Sequence, residues 1–422
     1  MCLEATYARR RGDNLPTVTL RGRRLLWLLI GAGLTGRVAL AFATYGQDFD
    51  IGSLHIVAAQ LGDDPLDLYS TVNGEFELGG FAAGRWPYPS GIFPWLAATV
   101  GIEKATGLPF HGIVQLAPIA ADALIAWLVQ SFLGRRGASE RIRLAAVAAV
   151  MAGPSFWAIS GYHGQIDSVA ILPAVAALVV WEDGPAGRRA LLAGLLIGLG
   201  GSVKLVPLFM LVALLGSARS VREAVTLVGA AAGVMVAAMA PFVLADADGV
   251  RTALSYSGAP GLGGISLLVQ PELSTAVLTR RFDGVQAGTA AQTLYDHGKV
   301  LVVLALAAVA AFSFRYRPSA VQAAVLLWLA FYAITPAFFF QYAVWGLPFF
   351  LMAGHVAQVF ALQALLAPAM AAFYLLPWES DRVALVYVPV MALVWLAWVV
   401  ALALQARSIV RRGRPDVGLA ST

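Results

Sequence analysis

The stretch LLWLLIGAGLTGRVALAFATYGQDFD, residues 25–50, sets the reading of the whole chain. Residues 25–45 are apolar and long enough to cross about 30 Å of hydrocarbon, which takes about 20 residues. The string that follows, Gln47-Asp48-Phe49-Asp50, then places two carboxylates at the edge of the span. A carboxylate at a membrane boundary is expensive unless it pairs, binds an ion or does chemistry. A second polar string, Gly161-Tyr162-His163-Gly164-Gln165-Ile166-Asp167, is wedged between two later apolar runs. Two acidic clusters on the same side of a bilayer read as parts of one active site.

The rest of the composition agrees with a membrane solvent. Of 422 residues, 59% are hydrophobic and only 13% are charged, and the mean hydropathy is +0.75. Soluble proteins carry about 25% charged residues, so the chain reads as an all-α polytopic membrane protein. The net charge of +5 does not point to nucleic acid, because the arginines sit in short loops where they set orientation. The single cysteine, Cys2, allows no intramolecular disulfide. A polar, Arg-rich segment precedes the first span, which is expected to act as an uncleaved anchor.

Spans are expected near residues 25–45, 111–133, 143–160, 165–181, 223–244, 298–314, 319–336, 356–377 and 383–404. Residues 189–216 read as two short helices broken at Gly200-Gly201-Ser202-Val203-Lys204, and 341–353 as a short span. Residues 86–103, punctuated by Pro87, Pro89 and Pro94, read as interfacial or re-entrant. The total is about twelve spans, within a range of about 10–13.

Loop charges check this layout. Arg9, Arg10, Arg11, Arg21, Arg23 and Arg24 precede the first span and place the N-terminus in the cytoplasm. Threading from there puts Arg135, Arg136, Arg188, Arg189, Arg315, Arg411 and Arg412 inside as well, whereas the first outer segment is acidic. The domain plan is a cytoplasmic segment 1–24, one transmembrane domain 25–404 and a cytoplasmic tail 405–422. Two long extracytoplasmic loops, about residues 46–110 and 245–297, carry most of the mass outside the membrane, and long loops are commonly functional. The Ala-, Val- and Arg-rich, Lys-poor composition suggests a GC-rich bacterial genome, and the expected location is a bacterial inner membrane.

Four strings bring a family into view. They are Asp48-Phe49-Asp50 after the first span, Arg85-Trp86-Pro87-Tyr88-Pro89 in the first outer loop, Gly164-Gln165-Ile166-Asp167 opening a mid-chain span, and Pro336 to Trp345 with Gln341-Tyr342 at its centre. In this order, and over about residues 25–355, the chain resembles the GT-C class of polytopic glycosyltransferases, closest to bacterial mannosyltransferase-like members. It lacks the second Asp-Glu pair of protein O-mannosyltransferases and the Trp-Trp-Asp signature of oligosaccharyltransferases. The resemblance implies a GT-C-like core and an inverting hexosyltransferase. It implies a polyprenyl-phosphate sugar donor, mannose-like, and an extracytoplasmic glycolipid, glycan or protein acceptor.

The chemistry assigns roles to residues. Sugar transfer from a lipid phosphate needs a base for the acceptor hydroxyl and charge for the departing phosphate. Asp50 is the expected base, with Asp48 second; the family's Asp-x-x-Ser spacing matches Asp50 to Ser53. Two carboxylates so close could also share a divalent cation. The alternative is that both only favour a helix start through its dipole. Gln165 and Asp167 fall in a first helical turn suited to phosphate or sugar hydroxyls, with His163 beside them. Lys204, one of three lysines, falls at the helix break, where a cation suits a phosphate headgroup. Arg85, Gln341 and Tyr342 complete the expected substrate contacts. A transporter or lipid flippase is the competing expectation, and it would place ionisable groups along a path through the bilayer.

Overall fold

A computed structural model describes residues 19–73, 77–78, 81–82, 86–185, 187–255, 261–279, 288–377 and 380–412. Among them the chain is helical apart from a two-residue antiparallel ribbon, which pairs Glu77 with Ala82 and Leu78 with Phe81.

The first helix, α1 (Leu20–Ala43), starts at Thr19, whose side chain accepts from the Gly22 N–H. It hands over through a short turn to α2 (Asp48–Asp63). The N-cap of α2 is Gln47, whose side-chain oxygen accepts the Asp50 N–H at 2.7 Å. Gln47 therefore does the capping, and the carboxylates of Asp48 and Asp50 are left for other work. Helix α3 (Leu68–Asn73) follows. The proline-punctuated stretch expected to be interfacial forms a 3-10 turn, Ser90–Ile92, and then α4 (Phe93–Thr106), too short to span.

Helices α5 (Phe110–Val114) and α6 (Leu116–Arg135) together make a full-length segment. Next come α7 (Glu140–Met151), a Pro154-led turn α8 (Pro154–Phe156) and a π-helix, Trp157–His163. Gly164, at φ +84°, closes the π-helix; a Cβ there would stand 2.3 Å from Ile51 Cδ1, so only glycine fits. Helix α9 (Asp167–Asp183) then begins.

Helix α10 (Arg189–Val203) packs between α9 and α12 (Val221–Ala245). The approach is close because Gly194 and Gly198 face α12: a Cβ on either would stand 2.3 Å from the Leu227 carbonyl and 2.7 Å from that of Ala231. Small residues four apart are how membrane helices let their backbones meet. At Lys204 the backbone turns extended, and Pro207 leads a 3-10 turn into α11 (Met210–Leu215). The expected break of the 189–216 segment is therefore present.

The remaining helices are α13 (Ala247–Leu254), α14 (Ile265–Val269), α15 (Pro271–Thr279), α16 (Thr289–Tyr316), α17 (Ala320–Ile334), α18 (Ala343–Met352), α19 (Val356–Leu375) and α20 (Asp381–Arg412). Among the described residues, seven segments are long and apolar enough to cross a membrane: 20–43, 110–135, 140–163, 221–245, 289–316, 356–375 and 381–411. The reading of about twelve spans also counts shorter helices, and length and apolarity by themselves support seven. Two of the short ones, α17 and α18, are buried along nearly their whole length. Helices apolar on every side belong inside a large protein, and these two form the centre against which the longer helices pack.

Candidate functional site

Five separated pieces of chain meet in one hydrogen-bonded network. The Asp50 carboxylate, in the first turn of α2, is held by two side chains of the 161–167 turn. His163 Nε2 contacts Asp50 Oδ2, and Gln165 Nε2 donates to Asp50 Oδ1 at 2.6 Å. The other imidazole nitrogen, His163 Nδ1, lies 2.5 Å from the Tyr374 hydroxyl at the end of α19. In a neutral imidazole these partners suit one tautomer, in which Nε2–H donates to the carboxylate and Nδ1 accepts from the phenol. His163 is buried, whereas the Asp50 side chain stays 23% exposed. Each Asp50 oxygen accepts one hydrogen bond, which leaves each with further acceptor capacity.

The Gln165 amide is used at both ends, because its oxygen accepts from Lys204 Nζ at 3.1 Å. Lys204 Nζ also donates to Asp167 Oδ1 at 2.7 Å, and both side chains are buried. Trp345 Nε1 donates to the same Asp167 oxygen at 2.5 Å, and the Trp345 ring stacks on Tyr342 with centroids 4.1 Å apart. Asp167 Oδ2 is buried without a partner. One continuous network thus runs from Tyr374 through His163, Asp50, Gln165, Lys204 and Asp167 to Trp345.

The segment around Tyr88 lies against the lysine. Lys204 Nζ lies 4.6 Å from the centre of the Tyr88 ring, within cation–π range. The Tyr69 hydroxyl donates to the Tyr88 carbonyl at 3.0 Å. Burial pushes the Tyr69 phenol above its ordinary pKa, so it remains a donor. At the start of the same short helix, hydrogen bonds from Ser70 and Thr71 hold the Asp67 carboxyl below its usual range.

The residues expected from the sequence are not all brought together. Asp50, His163, Gln165, Asp167 and Lys204 form the network. Tyr342 joins through Trp345. Gln341 is buried in the adjoining 3-10 turn, with its side-chain oxygen unpartnered. Asp48 is exposed and, among the described residues, makes no side-chain hydrogen bond, so it stands apart from Asp50. Arg85 lies outside the described residues. A cation shared by Asp48 and Asp50 would have to use the lone pairs that Asp50 leaves free, on the side away from His163 and Gln165. Among the described residues no group of three or more His, Cys, Asp or Glu is placed to hold a metal ion.

Several members of the site escaped the sequence. Tyr374 lies at the end of an ordinary apolar span, and Trp345 reads as one aromatic among many. Arg37 and Asp122 are fully buried and paired at 2.7 Å, with Ser160 and Ser168 each donating to Asp122 at 2.5 Å. The signal for that pair was present, since each is a lone charge inside an apolar span.

The model of glycosyltransferase family 87 matches residues 107–340, more than half of the chain. The match includes the 161–167 turn and Lys204, while Asp50 and Tyr374 fall outside it. No curated protein matches the sequence. By the extent of that match, this chain belongs to glycosyltransferase family 87, a family of membrane glycosyltransferases with GT-C-like character.

Proposed function

We propose that the protein transfers a mannose-like sugar from a polyprenyl-phosphate carrier to a hydroxyl of an extracytoplasmic glycolipid, glycan or protein, with inversion at the anomeric carbon. The carrying observation is the Asp50 carboxylate, open on one side and held on the other by His163 and Gln165. The acceptor hydroxyl gives its proton to Asp50, and its oxygen attacks the anomeric carbon from the face opposite the phosphate. The carbon–oxygen bond to phosphate breaks, and polyprenyl phosphate leaves with the electron pair.

Lys204 has three ammonium protons, of which Gln165 and Asp167 take two. The third lies on the side covered by the Tyr88 ring, so a phosphate oxygen would take it with that ring moved aside, and a charge-assisted bond would then stabilise the leaving group. The unpartnered Asp167 Oδ2 supplies an acceptor for a sugar hydroxyl, and the stacked Tyr342 and Trp345 supply apolar surface beside it. His163 and Tyr374 orient the base.

The competing flippase or transporter needs ionisable groups strung through the bundle. Arg37 and Asp122 lie inside the spans, but they are buried, closed on one another and capped by two serines, which favours the transferase. The test is purified protein in lipid nanodiscs, offered a panel of labelled polyprenyl-phosphate sugars and nucleotide sugars. Transfer from a lipid-phosphate donor, with inverted product and loss of turnover in Asp50→Asn, is the expected result. Use of a nucleotide sugar, with no lipid donor consumed, would overturn the carrier assignment.

A further inference from the structure

One carboxylate outside the network touches both ends of the turn that carries His163, Gln165 and Asp167. Asp122, in α6, has no exposed surface. Its Oδ2 accepts from Arg37 Nη1 at 2.7 Å and from Ser160 Oγ at 2.5 Å, and its Oδ1 accepts from Ser168 Oγ at 2.5 Å. Ser160 sits in the π-helix three residues before His163, and Ser168 directly follows Asp167. The two serines therefore bracket the turn that carries His163, Gln165 and Asp167. Arg37 lies on α1, which leads into Asp50, and it also donates to the Val150 carbonyl and stands 5.8 Å from the Trp157 ring.

We infer that Asp122 is a positioning residue that clamps the 161–167 turn at both ends and ties it to α1, so that His163 and Gln165 meet Asp50. A buried ion pair is weak support for stability in itself, because desolvation offsets most of the attraction. Here the geometry gives the pair a second use. A carboxylate with three donors from three elements has one orientation, and a fixed carboxylate fixes the two hydroxyls. Small errors of placement at a reacting centre are costly, of the order of 10²-fold for about 1 Å.

The inference rests on the reading of Asp50 as the base, and its test separates the two. Asp122→Asn leaves Arg37 buried without its counter-charge and is liable not to fold. The informative variant is therefore Ser160→Ala with Ser168→Ala, which keeps the ion pair and frees the turn. The first readout needs no substrate: modification of His163 by diethyl pyrocarbonate in membrane-embedded protein, located by mass spectrometry. His163 is 1% exposed, so it should react slowly in the parent and several-fold faster in the double variant. The second readout is turnover, where kcat should fall about 10–100-fold while KM for donor and acceptor stays within about twofold. An unchanged rate of His163 modification would overturn the clamp whatever reaction the protein catalyses. Faster modification with kcat intact would overturn the positioning role. Faster modification in a protein that uses no lipid-phosphate sugar would leave the clamp standing and remove the carrier assignment alone.

Discussion

Lys204 Nζ and Asp167 Oδ1 stand 2.7 Å apart with both side chains buried. The lysine that looks like a free cation in the sequence is thus half of a neutral pair, and removing one half strands the other. Lys204→Met should destabilise the fold by about 3–5 kcal/mol, the usual effect of leaving a buried charge unpaired. Combining it with Asp167→Asn should restore much of the thermal stability without restoring donor use. Thermal unfolding in detergent, set beside donor KM, reads both effects. A single Lys204→Met variant as stable as the parent would show that the pair does not hold in the membrane.

The two carboxylates of the first turn of α2 should behave differently. Asp50→Asn keeps the size and the backbone N–H bond to Gln47 and removes a basic oxygen, so transfer should fall about 10²–10⁴-fold. Asp48 is exposed and stands apart from the network, so Asp48→Asn should keep transfer close to the parent. Initial rates under saturating donor decide the matter. Equal losses in the two variants would restore the shared role that the sequence alone allows.

Tyr374→Phe removes the hydroxyl that faces His163 Nδ1 and leaves that nitrogen buried and unpaired. An unsatisfied buried group costs about 1–3 kcal/mol, enough for about a tenfold loss of rate if it is felt at the base. The loss should appear in kcat and not in donor KM. Full activity in Tyr374→Phe would detach the phenol from the reacting end of the network.

Sidedness can be read without an assay. In a Cys2→Ser background, cysteine at Leu66, which is 47% exposed, should react with an impermeant thiol reagent on intact cells. Cysteine at exposed Arg141 should react only after lysis. The reverse pattern would place the network on the cytoplasmic side and remove the extracytoplasmic acceptor.

The parts legible in the sequence are those written as local exceptions to apolarity. Asp50, the 161–167 turn and Lys204 each interrupt a hydrophobic run, and the structure joins them through Gln165. The break at Lys204 was also legible, because Gly200-Gly201 and Pro207 stand on either side of it. What stayed hidden depends on long-range pairing. Arg37 and Asp122 are 85 positions apart, and nothing local says that they meet. The burial of α17 and α18 was not legible either: both read as apolar segments, and only the fold shows that other helices surround them on nearly all sides.

The π-helix Trp157–His163 has a consequence of its own for tolerance to change in length. Successive residues of an α-helix are turned by about 100°, and the wider π turn resets that phase. Ser160 must face Asp122 while His163 faces Asp50 and Tyr374. Deleting one residue between them would let the backbone relax to ordinary helix, yet only one of the two side chains could then keep its direction. The segment is for that reason a place where substitutions are easier to absorb than a change of one residue in count.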